Sequence, residues 1–175
     1  MLDDLRSVIG AIEAVTETVG RAGALVMPLL IVVVVVNVAL RYGFGLGLIE
    51  LEELQWHLNA ITVMLCLAYA LKHDAHVRVD ILHSALSPRQ KSWVNLIGAV
   101  TLLIPFCIGI AWFAWGNAAY SWRIGEGSPM PSGLPARYLV KFLMFGGFVL
   151  LLAQAVAMAG RSLLVIIGAE TEERP

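Results

Sequence analysis

Four long apolar runs without a charged side chain alternate with short charged connections along this chain. The charge-free runs cover residues 22–40, 54–71, 92–122 and 142–160, and each holds 18 residues or more. A helix rises 1.5 Å per residue, so about 20 apolar residues cross a hydrocarbon core of roughly 30 Å. The pattern predicts an all-α integral membrane protein with four transmembrane helices, at about residues 22–40, 54–71, 94–118 and 140–160.

The composition agrees with a single membrane domain over residues 1–175. Hydrophobic residues make up 59% of the chain and charged residues 14%, against about 25% charged in soluble proteins. The net charge is −1, so the chain has no strong basic field, and we expect no nucleic-acid partner. The third run is the longest, and we expect Pro105 to kink the helix there because proline removes one helical hydrogen bond.

The segments beside the spans carry their own helical patterns. Residues 1–20 contain acidic groups where a signal peptide would be basic. Their apolar residues recur at helical spacing, which suits either an amphipathic surface helix or a polar extension of the first span. Residues 76–86 predict a second amphipathic surface helix, on the cytoplasmic side. Ser87 followed by Pro88 then predicts the N-cap and first position of the next helix.

The basic residues outside the spans are distributed unevenly between the two sides of the membrane. The side that carries both termini and residues 72–91 holds eight lysines and arginines, and the other side holds four. Because short cytoplasmic segments are enriched in these residues, both termini are predicted to be cytoplasmic.

The spans offer little chemistry of their own. None of the charge-free runs contains an aspartate, glutamate, lysine or arginine, the groups that mark ion and proton paths in membranes. Cys66 and Cys107 lie in predicted spans, where they suit packing as small apolar residues. His73, His76 and Asp80 could be considered as zinc ligands, but their spacing is not specific to a zinc site. We therefore expect that the chain is not an enzyme and binds no cofactor or metal. It resembles a companion of a transport protein more than a transporter that works alone.

Two stretches carry a resemblance to a known family. The first runs from Glu52-Glu53-Leu54-Gln55-Trp56-His57 through Ala68-Tyr69-Ala70-Leu71-Lys72 to His76-Val77-Arg78-Val79-Asp80. The second comprises Glu126, Ser128, Gly133-Leu134-Pro135, Lys141 and Gln154. Together with the size and number of the spans, they resemble the DctQ-like small membrane subunit of tripartite ATP-independent periplasmic (TRAP) transporters. Cys66 and Ala75 stand where the family pattern leads us to expect glycine.

The resemblance implies a three-part uptake system in a bacterial inner membrane. A periplasmic binding protein would capture an organic acid, and a large permease subunit would move it with a sodium gradient. The small subunit would be a scaffold in the lipid bilayer that holds the permease and helps to dock the binding protein. The alternative is a membrane assembly or structural protein without a transport partner.

The candidate partner interface combines charged groups near the membrane surfaces with small and polar groups in the last span. Its members are Glu52, Glu53, Arg78, Asp80, Glu126, Arg137, Lys141, Gly146, Gly147 and Gln154. For the glutamates, the alternatives are favourable placement at a helix N-terminus, pairing with Arg137 or Lys141, or contact with a basic group of a partner. For Gly146, Gly147 and Gln154, packing among the chain's own four helices is the alternative to contact with the permease.

Overall fold

The computed structural model describes residues 2–75 and 86–169, and this part of the chain forms helices and connections without a strand. The helices are α1 (Leu2–Phe44), α2 (Ile49–Lys72), α3 (Pro88–Gly98), α4 (Ile104–Arg123) and α5 (Tyr138–Ile166). A π-helical turn, Ala99–Leu103, joins α3 to α4, so that Pro88–Arg123 is one continuous span. Four helices in the described residues are long and apolar enough to cross a membrane, which confirms the predicted fold class.

Helix α1 continues far beyond the first apolar run. At 1.5 Å per residue its 43 residues measure about 65 Å, roughly twice the thickness of a hydrocarbon core. Residues 2–20 therefore extend the first span as one helix, the second of the two interpretations of this segment. The predicted surface helix at residues 76–86 lies almost wholly outside the described residues.

The N-terminal part of α1 packs on the C-terminal part of α5. Ile9 is buried with Ala157 and Leu164, and Leu5 and Ile12 pack against the same cluster. A Cβ atom added at Gly160 would lie 3.1 Å from Cδ1 of Ile9. The apolar stripe that the sequence shows in residues 1–20 is thus used for contact with another helix of the same chain.

Helix α5 is central, because it contacts α1, α2, α3 and α4. Helix α1 also packs along α2, and within the described residues it makes no extended contact with α3 or α4. The arrangement is an open layer with α2 and α5 in the middle. Large apolar side chains remain exposed along the outer helices, including Leu25 on α1 and Phe113 on α4, as expected for surfaces that meet lipid or a membrane partner.

Glycines allow α1 and α5 to approach α2 closely. A Cβ atom at Gly20 of α1 would collide with the ring of Tyr69 of α2, and one at Gly23 would lie 2.7 Å from Cβ of Leu65. On α5, a Cβ atom at Gly147 would lie 3.0 Å from both Cβ and the backbone oxygen of Met64. Small residues at such crossings are the usual means of helix association in membranes.

The beginning and middle of the third span follow local sequence signals. The Ser87 hydroxyl accepts from the Gln90 backbone N–H, and the Gln90 side chain accepts from the Ser87 N–H, which is a capping box. This confirms the predicted N-cap. The π-helical turn ends two residues before Pro105. It is a local rearrangement of the hydrogen-bond ladder of the kind that accommodates a residue without an N–H.

Candidate functional site

The loop between α4 and α5, residues 124–137, is closed by hydrogen bonds between its two arms. The backbone N–H of Ser128 donates to the oxygen of Leu134 at 3.1 Å, and that of Arg137 donates to the oxygen of Glu126 at 3.0 Å. Ser132 and Ala136 adopt positive φ angles of 62° and 64°, which residues other than glycine rarely do. The loop therefore has a defined shape that its internal contacts hold.

Glu53, in the first turns of α2, attaches this loop to the helical layer. One carboxylate oxygen accepts from the Ser128 hydroxyl, and the other accepts from the Leu134 backbone N–H at 2.6 Å. The two oxygens of one carboxylate thus each accept a hydrogen bond from a different arm of the loop. Hydrogen bonds to an ionised acceptor are stronger than those between neutral groups, so Glu53 is well suited to fix the loop's position.

Gly133 makes room for this attachment. A Cβ atom at this position would collide with Ser128 and would lie 2.9 Å from the Glu53 carboxylate. Only a residue without a side chain allows Ser128 and Glu53 to meet beneath the loop. The Gly133-Leu134-Pro135 element of the sequence therefore has a steric role here.

Lys141, in the first turn of α5, makes a second attachment. Its ammonium donates to the Glu126 carboxylate at 2.5 Å and to the side-chain oxygen of Asn117 at 3.2 Å. The hydrogen bond from Lys141 holds the pKa of the Glu126 carboxyl below its ordinary value. Near the same end of the layer, the rings of Trp122 and Tyr138 meet edge to face at 4.8 Å, which joins the ends of α4 and α5.

Glu52 pairs with Arg41 at the end of α1, so the two adjacent glutamates have different partners. Glu52 lies in the first turn of α2 and also forms an ion pair within the chain. Glu53 accepts hydrogen bonds from neutral groups and forms no ion pair in the described residues. The partners differ from those expected, since Lys141 binds Glu126 instead. The Arg137 side chain is exposed, and its charge helps to lower the pKa values of Glu53 and Glu126. We call this assembly the loop platform: residues 124–137 with Glu53, Asn117 and Lys141.

The three candidates in the last span lie in different environments. Gly147 is buried against Met64 of α2, and Gln154 is 2% exposed inside the layer. Gly146 is exposed, with no atom within 4 Å of an added Cβ. The structure therefore brings Gly147 and Gln154 into contact with the chain's own helices and leaves Gly146 on an outer surface.

The opposite end of the layer carries an ion-pair cluster that the sequence reasoning missed. Glu17 of α1 binds Lys72 at 2.7 Å and His73 at 2.9 Å, and Glu13 binds Arg161 of α5 at 2.5 Å. The signal was present, because Glu13 and Glu17 are four residues apart and so share one helix face. Arg78 and Asp80 lie outside the described residues. Over residues 2–75 and 86–169, no three His, Cys, Asp or Glu residues are grouped as metal ligands would be.

Comparison with known proteins decides the family. Residues 30–164 match the family model of the DctQ component of tripartite ATP-independent periplasmic transporters. The chain belongs to this family. The match covers α2 to α5 almost completely, and with them the loop platform and most of the first span. No match was found among curated proteins or solved structures. A TRAP-family small subunit is a transporter component and a multi-pass membrane protein, in agreement with the four spans.

Proposed function

We propose that this chain is the scaffold subunit of a TRAP-type secondary transporter in a bacterial inner membrane. It holds the large permease in the bilayer and helps a periplasmic binding protein to dock, for sodium-gradient-driven uptake of an organic acid. The observation that carries the proposal is the loop platform, whose loop is attached to α2 through Glu53 and to α5 through Lys141. A preformed surface of this kind binds a partner without first being ordered.

The exposed tip of the loop supports a docking role. Pro129, Pro131 and Ser132 are exposed, and Met130 is 57% exposed although its side chain is apolar. Binding residues are often placed on loops that a rigid scaffold positions. Arg137 at the base of the loop adds an exposed positive charge, which suits contact with an acidic group on the binding protein.

The membrane orientation follows from the distribution of basic residues. With eight lysines and arginines on the side of the termini and four on the other side, both termini are cytoplasmic and the loop platform faces the periplasm. That is the side from which a periplasmic binding protein arrives. The same orientation places the Glu13 and Glu17 ion pairs at the cytoplasmic side.

Transport itself belongs to the permease in this proposal. The four charge-free runs contain no aspartate, glutamate, lysine or arginine, and none shows the paired broken helices that form substrate sites in secondary transporters. Of the candidate interface residues, Arg137 and Gly146 remain open to a partner, whereas Glu52, Glu53, Glu126, Lys141, Gly147 and Gln154 hold the subunit's own structure. Arg78 and Asp80 are proposed to contact the permease on the cytoplasmic side.

Reconstitution in liposomes tests the proposal. Uptake from a panel of radiolabelled organic acids is measured with the permease and binding protein that we expect to be encoded beside this chain. Each measurement is made with and without this chain, under an inward sodium gradient. We expect accumulation only with all three proteins. Accumulation by this chain alone, or full activity in its absence, would refute the scaffold role.

Met130 offers a sharper test of docking. Met130→Asp places a charge on the apolar tip without touching the hydrogen bonds that Glu53 makes. We expect the concentration of binding protein needed for half-maximal uptake to rise, with the maximal rate unchanged. Val35→Leu, on the exposed face of α1, is the control and should leave both quantities unaltered.

A further inference from the structure

One amide side chain stands alone at membrane depth on an outer surface. Asn59 of α2 is exposed and makes no hydrogen bond in the part of the chain that the structure describes. The other Asn, Gln, Ser and Thr side chains of the charge-free runs are buried, half-buried or bonded within the chain. For example, the Thr62 hydroxyl donates to the oxygen of Leu58 and the Thr101 hydroxyl to that of Ile97.

The position of Asn59 places it in the hydrocarbon region. Glu53 and Lys72, the charged residues that bracket the second run, are 19 residues apart, which is about 29 Å along a helix. This matches the hydrocarbon thickness of roughly 30 Å. Asn59 lies about 9 Å inward from Glu53. Lipid tails have neither donors nor acceptors, so the amide needs a protein partner there.

The neighbours of Asn59 form a surface suited to a helix. Trp56 is 77% exposed and Val63 is 45% exposed, and with Asn59 they lie three and four residues apart on one face of α2. The face thus combines a large aromatic anchor, a hydrogen-bonding group and a β-branched residue. By contrast, the exposed residues in the middle of the first span, such as Val32 and Val35, are aliphatic and suit contact with lipid.

We propose that the α2 face formed by Trp56, Asn59 and Val63 binds a transmembrane helix of the large permease, with the Asn59 carboxamide hydrogen-bonded across the contact. The proposal rests on the proposed function, which supplies the permease as the membrane partner. Membership in a tripartite transporter family supports a different protein, in preference to a second copy of this chain. The complementary group on the permease is a hydroxyl, an amide or a free backbone carbonyl, as in other interhelical contacts.

Photo-crosslinking tests which surface meets the permease. A diazirine amino acid replaces Val63 in one variant and Val32 in the other, and each full-length chain is co-expressed with the neighbouring permease. The two positions are matched, because both are exposed valines and the Arg41–Glu52 pair sets α1 and α2 at similar depth. We expect an adduct with the permease from position 63 and mainly lipid adducts from position 32.

The outcomes separate this inference from the proposed function. If the permease co-purifies but position 63 yields only lipid adducts or a dimer of this chain, the inference is wrong and the scaffold role stands. If the permease does not co-purify with the unmodified chain, both are wrong.

Variants of Asn59 test the hydrogen bond itself. Asn59→Leu is expected to weaken retention of the permease about threefold, the change that corresponds to an average interhelical hydrogen bond of ~0.6 kcal/mol. Asn59→Gln keeps a carboxamide and should lose less. The ratio of permease to subunit, measured over a detergent dilution series, gives the comparison, and equal retention by the leucine variant would overturn the role of the carboxamide.

Discussion

The two adjacent glycines of α5 provide a matched test of the helix packing. Gly147→Ala would place a Cβ atom 3.0 Å from Cβ and from the backbone oxygen of Met64, whereas Gly146→Ala would place one in open space. The backbone oxygen cannot rotate away as a flexible side chain could. Accommodating the methyl group at Gly147 therefore requires α2 and α5 to move apart by a few tenths of an ångström.

The magnitude follows from comparing the two variants with each other. Both gain the helix propensity of alanine over glycine, about 0.5–1 kcal/mol, and this gain cancels in the difference. What remains is overpacking at Gly147, which typically costs about 1–3 kcal/mol. For a chain of this size 1 kcal/mol shifts Tm by about 2–4 °C, so Gly147→Ala should melt about 2–12 °C below Gly146→Ala.

Thermal unfolding of the detergent-solubilised subunit, followed by circular dichroism or tryptophan fluorescence, measures this difference. Gly146→Ala should melt at or slightly above the wild-type temperature. Equal melting of the two variants would show that α2 and α5 are not in close contact at Met64, and the central layer described above would be wrong.

Other contacts give further predictions. Glu53→Gln removes one of the two oxygen acceptors that hold the loop, so protease should cleave the loop faster in this variant than in the control Glu50→Gln. Equal cleavage rates would show that Glu53 does not hold the loop. Cysteines at Ser7 and Ser132 should differ in labelling by an impermeant reagent added to intact cells, with only the second labelled; the reverse would overturn the orientation. The Lys141–Glu126 pair requires an ionised Glu126, whose pKa is lowered. The loop's resistance to protease should therefore be full above the ordinary carboxyl pKa and be lost as pH falls through the lowered pKa of Glu126. Loss nearer neutrality would refute this pairing.

The sequence predicts the four long apolar helices, and the start of the third, because those features have local causes. Hydrocarbon excludes charge, so each long helix contains one of the charge-free runs. The cap at Ser87 depends only on residues within one helical turn. Pro105 likewise predicts a disturbance in its own helix, because it lacks the N–H of a helical hydrogen bond. That the disturbance is a π-helical turn before the proline is not evident from the sequence.

The contacts between helices are less accessible from sequence. Glu13 and Arg161 are 148 residues apart in the chain, and Glu53 and Leu134 are 81 apart, so no short-range pattern connects them. The sequence does not show which of Gly146 and Gly147 faces another helix, because lipid and the interior of a membrane protein are similarly apolar. The sequence could therefore indicate that the last span carries packing residues without showing which of them face the chain's own helices.

Co-purification shows whether this chain is the subunit that holds a large permease. The chain carries an affinity tag at its C-terminus and is co-expressed with the multi-span permease that we expect to be encoded beside it. Both are quantified after solubilisation and size exclusion. We expect the two proteins to elute together in a fixed ratio, and the permease to be absent when an unrelated four-span protein carries the tag. Recovery of a folded subunit alone, from membranes that contain abundant folded permease, would rule out the scaffold role and favour a membrane protein without a transport partner.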